Sequence, residues 1–246
     1  MKLLFYSLLL IISVQCFAQD TFSIIAIDSI TGEIGSAGAS CIQNAHPDSG
    51  VIVISTIIPG KGAINTQANY NPENQKNAKQ KMLQGLSPEE IISWLKKNDV
   101  NNRIEQRQYG IADIDEKGII RTAAFTGVSC NAFKSHIIGN NYCIQGNILA
   151  GKFVLDSMEH AFNRSSGTLA EKIMAAMLAA KIPGADTRCL TEGISSMSAY
   201  IRVAKPSDKE GDYFLQINVN NHPAGKDPID ILQQKYQLWK EETRHE

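Results

Sequence analysis

Four polar clusters in this 246-residue chain carry residue types that can do chemistry. Gln145 and Asn147 flank Gly146 at the end of an apolar stretch. A carboxamide N–H there could donate to the oxygen of a tetrahedral intermediate, or the amides could simply close a buried turn. Asp186 and Arg188 stand two apart in a loop led by Gly184. They either orient a substrate carboxylate or amine through charge-assisted bonds or satisfy each other within the loop. Thr66 and Gln67 follow Lys61-Gly62 on a glycine-bordered stretch and could line the same cleft, with Lys61 a solvated turn residue. Ser40 offers a hydroxyl that His46, His136 or His222 could activate in a Ser/His/Asp arrangement, although no G-x-S-x-G elbow supports that route. His160, on a helix face, and His245, in the terminal tail, do not read as bases. No H-x-x-x-H or H-E-x-x-H occurs, Asp113 and Asp115 lack calcium-loop spacing, and a P-loop and a dinucleotide fingerprint are missing. Neither metal nor cofactor is therefore expected.

Charge narrows the partners. The chain has 24 Lys and Arg against 25 Asp and Glu, a balance that argues against a nucleic-acid surface and for a small-molecule or neutral ligand. At the N-terminus, Lys2, an apolar run from Leu3 to Val14 and a small-residue pattern ending at Ala18 read as a secretory signal peptide over residues 1–18. That run is too short for a permanent span, and no later segment reaches about 18 consecutive apolar residues. The expectation is a periplasmic or secreted protein with no membrane contact after cleavage. Acylation at Cys16 is the competing reading, disfavoured by the bulk of Gln15. Export leaves Cys41, Cys130, Cys143 and Cys189, an even set that an oxidising compartment tends to pair, with three connectivities open. Some could instead be small buried apolar residues.

The elements that must position the polar clusters follow from periodicity and turn chemistry. Thr21 to Asp28 and Ile34 to Ser40 bracket a Ser29–Glu33 turn and predict a hairpin. Gly35, Ala37, Gly38 and Ala39 on its second strand require that something approach closely. Val51 to Ile58, apolar on both faces, predicts a central strand, resumed by Ala63 to Ala68 after Pro59-Gly60. Asn71-Pro72 opens a helix ending near Gly85, and Ser87-Pro88-Glu89-Glu90 is a capping box opening a second. Arg107–Asp115 and Gly118–Phe125 predict another hairpin, and Tyr142 to Leu149 a short strand. Helical spacing over Lys152–Asn163 and Thr168–Ala180 predicts an antiparallel pair, followed by strands at Met197–Ala204 and Tyr213–Val219 and an amphipathic helix after Asp227-Pro228. Hairpins alternating with helix pairs favour two stacked antiparallel sheets with helices outside. No linker divides residues 19–246, which read as a single domain. Association into a homodimer through outer helices suits this architecture, with no specific residue behind it.

Several local patterns resemble the domain-of-unknown-function 1028 family. They are Thr21-Phe22-Ser23-Ile24 leading to Asp28 and Thr31-Gly32-Glu33; Gly62-Ala63 with Thr66-Gln67-Ala68 and Asn71-Pro72; and Gly85-Leu86-Ser87. Further on come Arg107-Gln108 with Gly110, Phe125-Thr126-Gly127, Gln145-Gly146-Asn147 with Leu149, Gly184-Ala185-Asp186-Thr187-Arg188, and Asn221-His222-Pro223. They keep the family's order over almost the whole chain after the signal. The resemblance implies an α+β fold of the N-terminal-nucleophile (Ntn) hydrolase type, a four-layer αββα sandwich of two antiparallel sheets flanked by helices. It also implies a nucleophile whose own α-amine is its base, for which Thr21 is the candidate. Gln145, Asn147, Thr66, Gln67, Asp186 and Arg188 then become candidates for oxyanion or substrate contacts. Two departures bear on this. Cleavage after Ala18 leaves Gln19 and Asp20 ahead of Thr21, and Phe133-Lys134-Ser135-His136 stands where the family tends to show Trp-Ala-Gly-His. The expected function is an exported amidohydrolase of a small substrate; the alternative is a non-catalytic binding or structural protein on the same scaffold.

Overall fold

The computed structural model describes residues 21–43, 50–220 and 223–243. The signal peptide, Gln19 and Asp20, His46, the Asn221-His222 pair and His245 lie outside the described residues. The N-terminal hairpin forms as expected from β1 (Thr21–Ile27) and β2 (Ile34–Ser40), and Asp28 Oδ1 accepts from Ile30 N and Thr31 N at its turn. Strands β3 (Ser55–Ile58), β4 (Gly62–Ala68), β5 (Arg107–Ile114) and β6 (Ile120–Thr126) pair antiparallel in a four-stranded sheet, in that order. The remaining strands are β7 (Ser135–Ile138), β8 (Tyr142–Gly146), β9 (Ser198–Ala204) and β10 (Leu215–Val219). With the hairpin they form a six-stranded antiparallel sheet ordered β10-β9-β2-β1-β8-β7, so β1 and β2 are central.

Helices cover both outer faces. Asn71 caps α1 (Pro72–Leu83), and Ser87 with Glu90 forms the expected box at the start of α2 (Pro88–Asn98). These two bury Met82, Ile91 and Leu95 against Ile64, Tyr109 and Ile111 of the four-stranded sheet. On the other side α3 (Lys152–Arg164), α4 (Leu169–Ala179) and α5 (Pro228–Thr243) pack Val154, Met158, Ile173, Met177 and Leu232 against Phe22, Ile24, Ala37 and Ile201. The molecule is thus an α+β, αββα sandwich. Among the described residues no helix is long and apolar enough to cross a membrane.

The close approach predicted from small residues on β2 is real. A methyl on Gly35 would lie 2.3 Å from Ile173 Cδ1, so the bare backbone is what lets α4 sit down on the sheet. Strand parity divides β1 the same way: Phe22, Ile24 and Ala26 meet the helices, whereas Ser23, Ile25 and Ile27 face the other sheet.

Three expectations need correction. The segment Val51–Ile58 is not a central strand: Gly50–Ile54 is a 3-10 turn, and β3 is the edge of the smaller sheet. Its double-sided apolarity comes from Val51, Ile52 and Ile54 packing on Tyr200 of the opposing sheet, not from flanking strands. The strand expected to run to Leu149 stops at Gly146, because Ile148 adopts φ 52°, which extended backbone cannot accommodate. Strand β7, half-buried and irregular in pattern, was not foreseen.

Candidate functional site

Between the sheets, the layer is apolar toward one end and polar toward the other. Ile25, Ile27, Ile34, Ile57, Ala63 and Ala112 fill the first; Ser23, Gln67, Gln108, Gln145 and Asn147, all buried, fill the second. Alternation along β4 and β5 brings Gln67 and Gln108 inward from one sheet, while β8 delivers Gln145 from the other. Gly110 makes room: a methyl there would lie 2.0 Å from Gln145 Oε1.

Thr21 heads β1 at this polar end and is fully buried. Its carbonyl accepts two hydrogen bonds, from Gln67 Nε2 at 3.0 Å and from Asn147 N at 3.1 Å. Ser23 Oγ donates to Gln67 Oε1 at 2.6 Å and accepts from Gln145 Nε2 at 2.5 Å. Gln67 Nε2 also donates to Gln108 Oε1 at 2.8 Å, and Asn147 Nδ2 donates to the same oxygen at 3.0 Å. Gln108 Nε2 is directed at Thr126 Oγ1, Ser135 O and Gly146 O, at 2.9, 3.0 and 2.9 Å. Thr126 Oγ1 in turn lies 2.8 Å from His136 Nδ1, and burial lowers the pKa of that imidazole, favouring its neutral form.

The second half of the site comes from the loop before β9. Asp186, fully buried, accepts from Arg188 Nε at 3.0 Å and Nη2 at 2.6 Å, and from the backbone N of Cys41 at 2.9 Å. Arg188 Nη2 lies 3.4 Å from Ser40 Oγ, and Ser40 is the register partner of Thr21. Thr187 N donates to Ile148 O, and Leu149 bridges to Asp186, so the loop also abuts the end of β8. A Cys41–Cys189 disulfide fastens it to the end of β2. Of the three connectivities open in the sequence, this one pair forms. Cys130 and Cys143 are buried thiols, and burial pushes the latter's pKa up to about 12.

Thr21, Gln67, Gln145, Asn147, Asp186 and Arg188 are therefore brought together at one end of the central strands. Thr66 is not: adjacent strand residues point to opposite faces, and its Oγ1 turns to Ile54 O at 3.5 Å, outside the cleft proposed for it. Lys61 sits at the β3–β4 turn, the far end of β4 from Gln67. For the serine-triad arrangement, Ser40 faces Arg188 while His136 is committed to Thr126. Sequence reasoning missed Gln108 and Ser23 as site residues. Their signal was parity: Ser23 shares the face of Thr21, and Gln108 that of Gly110, inside strands that otherwise bury apolar groups.

Comparison with curated proteins finds no match. Among solved structures, a crystallised Silicibacter pomeroyi protein described under the same family designation superimposes with a TM-score of 0.70. It shares 25% identity over 89% of this chain and 88% of its own. The ancestral beta-subunit (Anbu) of Yersinia bercovieri aligns over 92% of this chain and 97% of its own, with 12% identity and a TM-score of 0.43. The model of the family of unknown function DUF1028 matches residues 21–231, and the chain belongs to that family.

Proposed function

We propose that the protein is an exported hydrolase of the Ntn type, acting on an amide-type bond of a small substrate with Thr21 as nucleophile. The observation that carries this reading is the clamp on Thr21: its carbonyl is held from β4 and from the end of β8 at the head of a central strand. Once Thr21 is N-terminal, its α-amine, titrating near pH 8, takes the proton from Oγ1 as that oxygen attacks the substrate carbonyl. The amine then returns the proton to the leaving nitrogen, and water releases the acyl group from the threonine ester. Asn147, whose backbone already touches Thr21, is the better placed carboxamide to donate to the tetrahedral oxygen, through the Nδ2 hydrogen that it does not give to Gln108; Gln145 contacts Ser23, two residues along the strand. The Asp186–Arg188 pair, adjoining Ser40, offers the charged groups for a substrate amine or carboxylate.

The second reading, a non-catalytic exported binding or structural protein, draws on a different observation: Thr21 is fully buried, and Gln67 and Asn147 beside it both donate to Gln108. N-terminal sequencing and intact mass of natively exported protein separate the two. A chain starting at Thr21 supports the enzyme and one starting at Gln19 the binder. For the enzyme, Thr21→Ala lowers hydrolysis of a panel of fluorogenic aminoacyl amides by on the order of a thousandfold or more. Hydrolysis undiminished in that variant would refute the nucleophile.

A further inference from the structure

We propose that Gln108 is a positioning residue that orients the two residues, Gln67 and Asn147, that donate to the Thr21 carbonyl; this rests on the Thr21 reading above. Gln108 is fully buried and reaches from β5 across the inter-sheet layer. On one side of its carboxamide stand the Ser135 and Gly146 carbonyl oxygens, which can only accept. The amide nitrogen must therefore face them, and Oε1 must face Gln67 and Asn147. That choice propagates. Gln67 has to turn its Nε2 toward Gln108, which leaves the second N–H of that amide for Thr21 O and presents Oε1 to the Ser23 hydroxyl. Ser23, having donated, accepts from Gln145. Asn147 is held by its side chain on the same Gln108 oxygen while its backbone N holds Thr21 O. A single carboxamide thus orients both donors of the clamp.

The backbone shows why such fastening is needed. Ala68 and Ile148, the residues immediately after Gln67 and Asn147, have φ of 66° and 52°. Both lie in the left-handed region, which side chains other than glycine adopt at a cost and keep only where surrounding contacts over-determine them.

The test uses natively exported protein and a β-lactone probe that acylates a nucleophilic threonine hydroxyl, with the labelled residue located by mass spectrometry. Rates are normalised to folded protein by near-UV circular dichroism. In Gln108→Met the maximal acylation rate falls by about a hundredfold, as expected for a misplaced nucleophile, while the probe concentration at half-saturation stays put. Gln108→Glu separates positioning from mere packing. Its buried carboxyl, raised in pKa, has a proton to give to one of the two carbonyl oxygens, Ser135 O or Gly146 O, only while protonated, so its rate relative to wild type falls as pH rises. His136, which shares Thr126 with Gln108, and the Thr21 α-amine also titrate here; both are present in both proteins and divide out of the ratio. A folded Gln108→Met that labels at the wild-type rate overturns the proposal, and so does a Gln108→Glu ratio that is flat with pH. Should the methionine variant fail to fold, the glutamate profile decides alone. Wild-type protein that starts at Thr21 and takes no label at that residue removes the Thr21 reading itself, and the role of Gln108 with it.

Discussion

Arg107, next to Gln108, shows what a single buried charge does for this end of the molecule. Its guanidinium and the Asp99 carboxylate are both 2% exposed, with Nε 2.9 Å from Oδ2 and Nη2 3.3 Å from Oδ1. Asn74 and the backbone N–H groups of Asn101 and Arg103 complete the carboxylate's shell. Burial alone pushes the Asp99 pKa up, but these donors outweigh it and hold the group below its ordinary value. Removing one partner strands the other, so Arg107→Met should cost about 3–5 kcal/mol in urea unfolding. Because the folded pKa lies below the unfolded one, the pair's contribution is complete above the unfolded value near 4 and is lost as pH falls through the folded value. Urea midpoints measured from pH 6 down to 2 should decline more steeply in wild type than in Arg107→Met; parallel curves would mean the pair carries no pH-dependent stability. At this scale only a pairing between near neighbours is legible in the sequence. Asp186 and Arg188 were readable as partners because they are two apart, whereas Asp99 and Arg107 meet only because the chain loops back between α2 and β5.

Elements were legible where local chemistry decides them. Asn71 and the Ser87–Glu90 box mark helix starts with side chains that satisfy free amides, so α1 and α2 begin where expected. Local chemistry says nothing about which strands become neighbours. The apolar run at Val51–Ile58 carried the composition of a central strand and became a turn and an edge, since burial there comes from the second sheet. Thr66 and Gln67 were equivalent as letters, and only register put one inward and the other toward the helices. The bare backbone of β2 did carry a readable consequence, and it can be tested. Gly35→Ala drives a methyl into Ile173 Cδ1 and 3.2 Å from Leu169 Cδ2, so Ile173 must turn aside or α4 lift, at about 1–3 kcal/mol. Adding Ile173→Val, which deletes the clashing Cδ1, should recover part of the loss in a double-mutant thermal-melt cycle. Strictly additive losses would mean that the contact is not what limits the approach.

At the scale of the whole molecule, the disulfide joins positions 148 residues apart, closing most of the fold into a loop between the end of β2 and the segment before β9. Such a long closure restricts the unfolded chain strongly, and Cys189→Ser or reductant should lower stability by about 2–4 kcal/mol, read as a drop in Tm. An unchanged Tm would show that the bridge is dispensable to the fold. The αββα order of layers was legible through family resemblance and the count of hairpins, but the strand order within each sheet was not, because pairing between distant strands leaves no local trace. That order has one more consequence, through the unequal filling of the layer between the sheets. Parting the isoleucine-rich portion would wet hydrocarbon, whereas parting the carboxamide-rich portion exchanges internal hydrogen bonds for ones to water at small net cost. The sandwich should therefore breathe like a book bound along its oily spine, its pages opening first beside the threonine at the head of β1.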